Sequence, residues 1–77
     1  MQAFVEFVVR GLVDRPTDVR VTSVQRHGIT VYEVEVGPGD AGKIIGRRGA
    51  TIQAIRSILQ VGAMKAGIRC QLELVED

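Results

Sequence analysis

The chain is expected to fold as an α+β sandwich, a three-stranded sheet covered on one face by three helices, in the order helix, strand, strand, helix, helix, strand. Three observations predict this. Apolar residues recur at helical spacing over 2–13 and 50–66, they alternate or cluster as β-branched runs over 17–37 and 68–75, and glycine or proline marks each change of period.

The first helix is read from charges or amides at Gln2, Glu6, Arg10 and Asp14, four apart, with apolar residues on the other faces. Glu6 and Arg10 form a favourable i,i+4 pair, and Pro16 ends the helix by forcing the residue before it out of helical backbone. Thr17 to Arg26 alternates around Val19 and Val21. Ile29 to Gly37 is rich in β-branched residues, with Tyr32, Val34 and Val36 on one parity, and His27-Gly28 between the two strands predicts a tight hairpin turn. Pro38-Gly39 breaks the second strand, and Asp40 is placed to cap a one-turn helix carrying Ala41, Ile44 and Ile45. After Gly46-Arg47-Arg48-Gly49, a longer helix runs from Ala50 to Ala66 and closes at Gly67. The last strand, Ile68 to Val75, alternates Cys70, Leu72 and Leu74 with Arg69, Gln71 and Glu73, one face dry and the other wet.

Seventy-seven residues at 8.4 kDa fit one domain, with residues 1–77 forming a single unit. A core this small supplies only about 3 to 5 kcal/mol, and small domains often add staples. The single cysteine, Cys70, allows no internal disulfide. With one histidine it offers no four-ligand metal site, so neither metal nor cofactor is expected. A partner chain sharing the core is therefore a live expectation. Met1 to Val13 is apolar enough to resemble a signal peptide, but Glu6 and Arg10 interrupt it and no basic leader precedes it. No apolar run reaches the roughly 18 to 20 residues of a membrane span, and the expectation is a cytoplasmic chain without membrane contact.

The net charge of +1 conceals a segregation. Ala41 to Leu72 holds six basic residues, Lys43, Arg47, Arg48, Arg56, Lys65 and Arg69, and no acid; the rest of the chain holds all nine acids against four arginines, a net of −5. Such a basic face suits a polyanion, while the acidic remainder limits indiscriminate binding. Catalytic apparatus is absent from the pattern. His27 stands in a turn without companions, and Glu33 and Glu35, two apart on a strand, read as solvent-side residues.

Five of the nine glycines lie between Gly37 and Gly49, and three motifs can be drawn through them. Gly37-x-Gly39-x-x-Gly42 has the dinucleotide-binding spacing, but the helix after it breaks within about a turn and no βαβ unit surrounds it. Gly37-x-x-x-x-Gly42-Lys43 matches most of a P-loop, yet Ile44 stands where the magnesium-binding hydroxyl belongs. The third pattern is Ile44-Ile45-Gly46-Arg47-Arg48-Gly49-Ala50-Thr51-Ile52, a Gly-x-x-Gly turn between helices with aliphatic flanks. Its glycines let a phosphate backbone pass close, and the arginines and the following helix N-terminus attract it.

This string resembles the GXXG loop of KH domains, and it sits in the element order of the type II KH fold. The resemblance covers essentially the whole chain, and length and motif together are similar to those of the small stand-alone KH proteins of bacteria, the KhpA type. It implies a non-enzymatic, cytoplasmic protein that holds about four nucleotides of single-stranded RNA. It further implies an RNA chaperone or post-transcriptional regulator linked to cell shape and division, self-association as a homodimer, and a heterocomplex with a larger Jag-like protein, KhpB. Carried onto this chain, Lys43, Arg47 and Arg48 contact phosphates across Gly46 to Gly49. Ile45 and Ile52 line the base groove, the strand beside it offers edge hydrogen bonds, and Arg56 extends the positive track.

Phe4, Phe7 and Tyr32 are the only aromatic residues, so the stacking platforms of RRM and many OB modules are missing, which fits an aliphatic groove. The long helix carries two apolar stripes. Ile52, Ile55, Leu59 and Gly62 are expected to pack on the sheet, whereas Ala54, Ile58 and Val61, with Met64 beyond, mark an interface for another chain, with packing against the first helix as the alternative. Two rivals stay open: a protein-interaction subunit that docks through this second stripe, and a binder of single-stranded DNA, since nothing in the loop reads a 2′-hydroxyl.

Overall fold

A computed structural model describes residues 1–75; Glu76 and Asp77, counted among the acids, lie outside the described residues. Helix α1 spans Gln2–Leu12 and seats Val5 and Val9 in the core with no exposure. On its outer side Arg10 pairs with Glu6 at 3.2 Å, and Gln2 donates its amide to the Val21 carbonyl at 3.0 Å, tying the helix to the first strand.

The strand expected from Thr17 starts later. Pro16–Asp18 forms a 3₁₀ turn, in which Asp18 N–H bonds the Arg15 carbonyl at 3.0 Å and Val19 N–H bonds the Pro16 carbonyl at 3.3 Å. Proline at the first position needs no donor there and presets the backbone, so local closure wins over extension. Strand β1 is Arg20–Arg26 and β2 is Ile29–Glu35, antiparallel from Arg26↔Ile29 to Arg20↔Glu35. His27 and Gly28 both have positive φ, 51° and 79°, the geometry of a two-residue hairpin turn whose twist matches the strands. Because Arg20 begins β1 opposite Glu35, Val36 and Gly37 have no partner on β1, and β2 is shorter than its β-branched run.

Helix α2, Ala41–Ile45, and helix α3, Ala50–Ala66, form a hairpin over the sheet. Helix α3 ends as expected at Gly67, φ 72°, whose N–H bonds the Met64 carbonyl at 3.2 Å while Ile68 N–H bonds that of Ala63 at 2.9 Å. Since Ile68 is turned back by that bond, strand β3 is Cys70–Leu74 and not the longer run from Ile68. It pairs parallel to β2, Thr30↔Cys70 through Val34↔Leu74, giving the sheet order β1-β2-β3 with β3 at one edge. A parallel pair needs a crossover, and the α2–α3 hairpin supplies it.

One core joins the two layers. Val5 and Val9 of α1, Ile44 of α2, and Ile52, Ile55, Leu59 and Ala63 of α3 meet Tyr32, Val34, Cys70 and Leu72 of the sheet. Ala63 takes the inward position assigned to Gly62, because the stripe advances by four from Leu59; Gly62 lies beside the Met1 side chain. Val31, on the helix-free face by parity, is also buried, flanked in register by Val24 and Gln71 on the two neighbouring strands.

Asp40 departs from its expected role. It occupies the position before α2, but its carboxylate makes no capping hydrogen bond to a backbone N–H of that helix. It is buried, accepts the Arg15 N–H at 3.1 Å, and lies 3.4 Å from the Lys43 ammonium, which itself sits 2.9 Å from Asp14. The exit of α1 is thereby pinned to the start of α2. Burial alone would raise the Asp40 carboxyl pKa, but the Arg15 and Asp14 backbone N–H groups and the Lys43 ammonium outweigh it and hold it below its usual value. Lys43 is pushed up, first by its hydrogen bond to Asp14 and then by Asp40.

Ile44 has no exposed surface, so Ile44→Ala is expected to cost about 2 to 5 kcal/mol, read as a lowered urea midpoint. The Asp40 contribution has a definite sign. A carboxyl held below its unfolded value stabilises fully above that value, near 4, and the benefit disappears as pH falls through the lower folded pKa. Thermal unfolding of wild type should therefore weaken below about pH 4 more steeply than that of Asp40→Asn. Parallel profiles would reject the role given to Asp40.

Candidate nucleic-acid interface

Between α2 and α3 the chain reverses within four residues. Gly46 has φ 74° and ψ −178°, and its N–H closes α2 on the Gly42 carbonyl at 2.9 Å. A Cβ at this position would fall onto the Thr51 side chain and within 2.9 Å of the Thr51 nitrogen, so both backbone conformation and space require glycine. Arg47–Gly49 forms a 3₁₀ turn in which Gly49 N–H bonds the Gly46 carbonyl at 3.2 Å. Arg48 is left-handed at φ 55°, ψ 28°, and Gly49 follows at φ 76°, ψ 9°. For an arginine this conformation costs about 1 to 2 kcal/mol, and it is maintained by the helices on either side.

The cations of this region fall into two groups. Arg47 and Arg48 are exposed and, among the described residues, neither forms an ion pair. Lys43, assigned to phosphate contact from sequence, has its ammonium between Asp14 and Asp40. Its charge is matched locally, a fact hidden in sequence because Asp14 lies 29 positions earlier. The loop therefore presents two unpaired positive charges beside a backbone stripped of side chains at both glycines.

The aliphatic residues flank this turn at different depths. Ile45 is half-buried, whereas Ile52 belongs to the core and is 7% exposed. Further along the same side of α3, Arg56 turns from the loop to β3 and donates Nε and Nη2 to the Leu72 carbonyl at 3.4 and 3.2 Å. One turn on, Gln60 donates Nε2 to the Cys70 carbonyl at 2.8 Å. A pocket of about 270 Å³ opens here, lined by Arg56, Leu59, Gln60, Gln71, Leu72 and Glu73. Sequence reasoning did not single out Gln60; the signal was present in the i, i+4, i+8 line of Ile52, Arg56 and Gln60 on one helix face.

The second stripe of α3 is exposed. Ile58 and Val61 keep 57% and 56% of their surface, Met64 78%, and Ala54 is open as well. Phe7, on the outer side of α1, is 79% exposed beside a shallow apolar groove that includes Ala3, Gly11 and Leu12. His27 is exposed in its turn, and Cys70 is a buried thiol whose pKa burial pushes up. Among the described residues no three histidine, cysteine or acidic side chains gather as a metal site, and no helix is long and apolar enough to cross a membrane.

These features agree with what the chain is similar to. The family model KhpA/KhpB, KH domain matches residues 2–74. The chain is 42% identical over 77 residues to the RNA-binding protein KhpA of Chlamydia muridarum, covering 100% of this chain and 99% of that one. It is 40% identical over 72 residues to the RNA-binding protein KhpA of Borreliella burgdorferi, covering 94% and 88% of the two chains. A further relative of that name, from Leifsonia xyli, is 43% identical over 70 residues, or 91% of this chain and 90% of the other. No solved structure matches at a comparable level of significance. With the helix-strand-strand-helix-helix-strand order, the parallel β2–β3 pair and the Gly46–Gly49 turn, these likenesses establish that the chain belongs to the KhpA/KhpB family of KH domains, in the type II arrangement.

Proposed function

We propose that the chain is a single-stranded RNA-binding module that grips about four nucleotides across Gly46 to Gly49. The observation that carries this reading is the pair of exposed arginines, Arg47 and Arg48, without acidic partners among the described residues, on a turn whose glycines admit a phosphate backbone. The curated relatives named RNA-binding protein KhpA support it. Arg47 and Arg48 contact phosphates, Ile45 and the exposed margin of Ile52 support bases, and Arg56 continues the positive track. Lys43, assigned to phosphate contact, has its charge offset by Asp14 and Asp40 and contributes chiefly by stabilising the α1–α2 junction beside the loop.

The exposed second stripe of α3 favours a further role in assembly. Ala54, Ile58 and Val61 form the contact of a homodimer or of a heterocomplex with a Jag-like KhpB protein, and the protein acts in the cytoplasm as an RNA chaperone or regulator connected with cell shape and division. The support for these partners is the exposure of Ile58 and Val61, together with the pairing of KhpA and KhpB in the family description.

Fluorescence anisotropy with a labelled pool of short single-stranded RNAs tests the first reading. Wild type should bind with a log–log salt slope of about −1.4 to −2.1, as two or three phosphate contacts imply. Arg47→Asp with Arg48→Asp should abolish binding while circular dichroism stays unchanged. Retained affinity in the double variant would remove the loop from the site, and tighter binding to a matched DNA oligonucleotide would redirect the reading to single-stranded DNA. For assembly, Ile58→Asp should leave a monomer by light scattering; an unaltered dimer mass would reject this contact.

A further inference from the structure

β3 is the edge strand of the sheet, and two carbonyls on its free side are already in use. In the parallel pairing Thr30 N–H bonds the Arg69 carbonyl at 2.9 Å and Val75 N–H bonds the Val34 carbonyl at 2.8 Å. The alternation of a parallel ladder therefore turns the backbone groups of Cys70, Leu72 and Leu74 away from β2, to the open edge. Two of these three carbonyls, those of Leu72 and Cys70, are capped from α3. Leu72 accepts two N–H groups of Arg56, at 3.4 and 3.2 Å, and Cys70 accepts the Gln60 amide at 2.8 Å. A carbonyl oxygen has two lone pairs, so Leu72 has none left for a ligand.

The consequence concerns which bases can lie in the 270 Å³ pocket bounded by Arg56, Gln60 and Leu72. A bare strand edge offers carbonyls to the exocyclic amines of adenine and cytosine. At Leu72 that acceptor is withdrawn, and a guanidinium stands in its place. Arginine carries five N–H groups and no acceptor; two are on Leu72, which leaves three donors for the groove. Gln60 keeps one N–H and its carbonyl, so it can meet either kind of base and the discrimination falls on Arg56. Glu73 also borders the pocket, but its carboxylate lies 3.8 Å from Arg26, which is also 3.4 Å from Glu33 on the neighbouring strand, an ion-paired group across the helix-free face.

We propose that Arg56, held on the Leu72 carbonyl at the edge of β3, is a specificity-determining residue that selects keto bases, guanine and uracil, over amino bases, adenine and cytosine. The inference rests on the RNA-binding reading and deepens it. Guanine O6 and N7 match the arginine fork, and uracil O4 accepts one N–H, whereas the adenine N6 and cytosine N4 amines meet a donor with no acceptor behind it. The loop arginines bind the phosphates of any sequence and set affinity, while Arg56 sets preference.

The test uses the whole chain and two labelled eight-nucleotide RNAs, (GU)4 and (AC)4, in fluorescence anisotropy at one salt concentration. Wild type is expected to bind (GU)4 about tenfold more tightly, the discrimination of one good arginine contact. Arg56→Lys retains the charge and the stem but loses the fork, so the ratio should fall toward one without loss of (AC)4 binding. Gln60→Ala uncovers the Cys70 carbonyl and should tighten (AC)4 selectively, a gain that misfolding cannot imitate. Equal binding of both RNAs by wild type, or a ratio unchanged in Arg56→Lys, overturns the base selection and leaves RNA binding standing. Binding of neither RNA by wild type overturns the RNA reading and this inference with it.

Discussion

The absence of a side chain at Gly46 is the constraint on which the rest of the site depends. Its positive φ and the proximity of Thr51 allow the chain to leave α2 and enter α3 within four residues. That reversal sets two things together. It directs Ile44 into the core on one side of the turn and starts the Ile52-Ile55-Leu59 stripe on the other, so both helices share one apolar floor. It also leaves Arg47 and Arg48 on the convex side, where no helix covers them. The left-handed Arg48 sits between two helices whose ends fix where the loop begins and closes.

Electrostatics divides the basic residues by task. Lys43 is close to the loop in sequence, but its ammonium and the buried Asp40 carboxylate belong to the junction that fastens α1 to α2. Such a pair stabilises only because backbone donors complete the hydrogen bonding of the buried acid. Arg47 and Arg48 have no such partners among the described residues and remain available to a polyanion. The six bases of Ala41 to Leu72 are therefore not one patch of equal charges, and a simple count overstates the number free to contact phosphate.

Helix α3 serves three surroundings with three faces. Ile52, Ile55, Leu59 and Ala63 fill the core, Arg56 and Gln60 cap the carbonyls of β3, and Ala54, Ile58 and Val61 stand in solvent. The caps also address a general hazard, because an uncovered edge strand invites pairing with another chain. The same side chains that protect the edge then define what a ligand meets there. Apolar bulk exposed on α1 and α3 lies in the helix layer, away from the ion-paired face of the sheet, so any association through it leaves that face free.

Local chemistry made most of the architecture legible without coordinates. Charges four apart marked α1, positive-φ candidates at His27-Gly28 marked the hairpin, and α3 from Ala50 to Ala66 with Gly67 behind it followed from period and capping. The Gly-x-x-Gly turn and its arginines were equally plain, since their meaning lies within nine consecutive residues. What sequence alone did not determine depended on residues distant along the chain. The start of β1 moved to Arg20 because a proline-led turn closed first, and β2 then stopped at Glu35, opposite that start. Asp40 looked like a helix cap until folding brought Arg15 and Lys43 to its carboxylate. Arg56 looked like a free cation until β3, 16 residues on, placed the Leu72 carbonyl beneath it. Spacing along a chain specifies periodicity and turns, but a hydrogen bond or ion pair between remote residues exists only once the fold has set their separation, and that decision belonged to the tertiary structure.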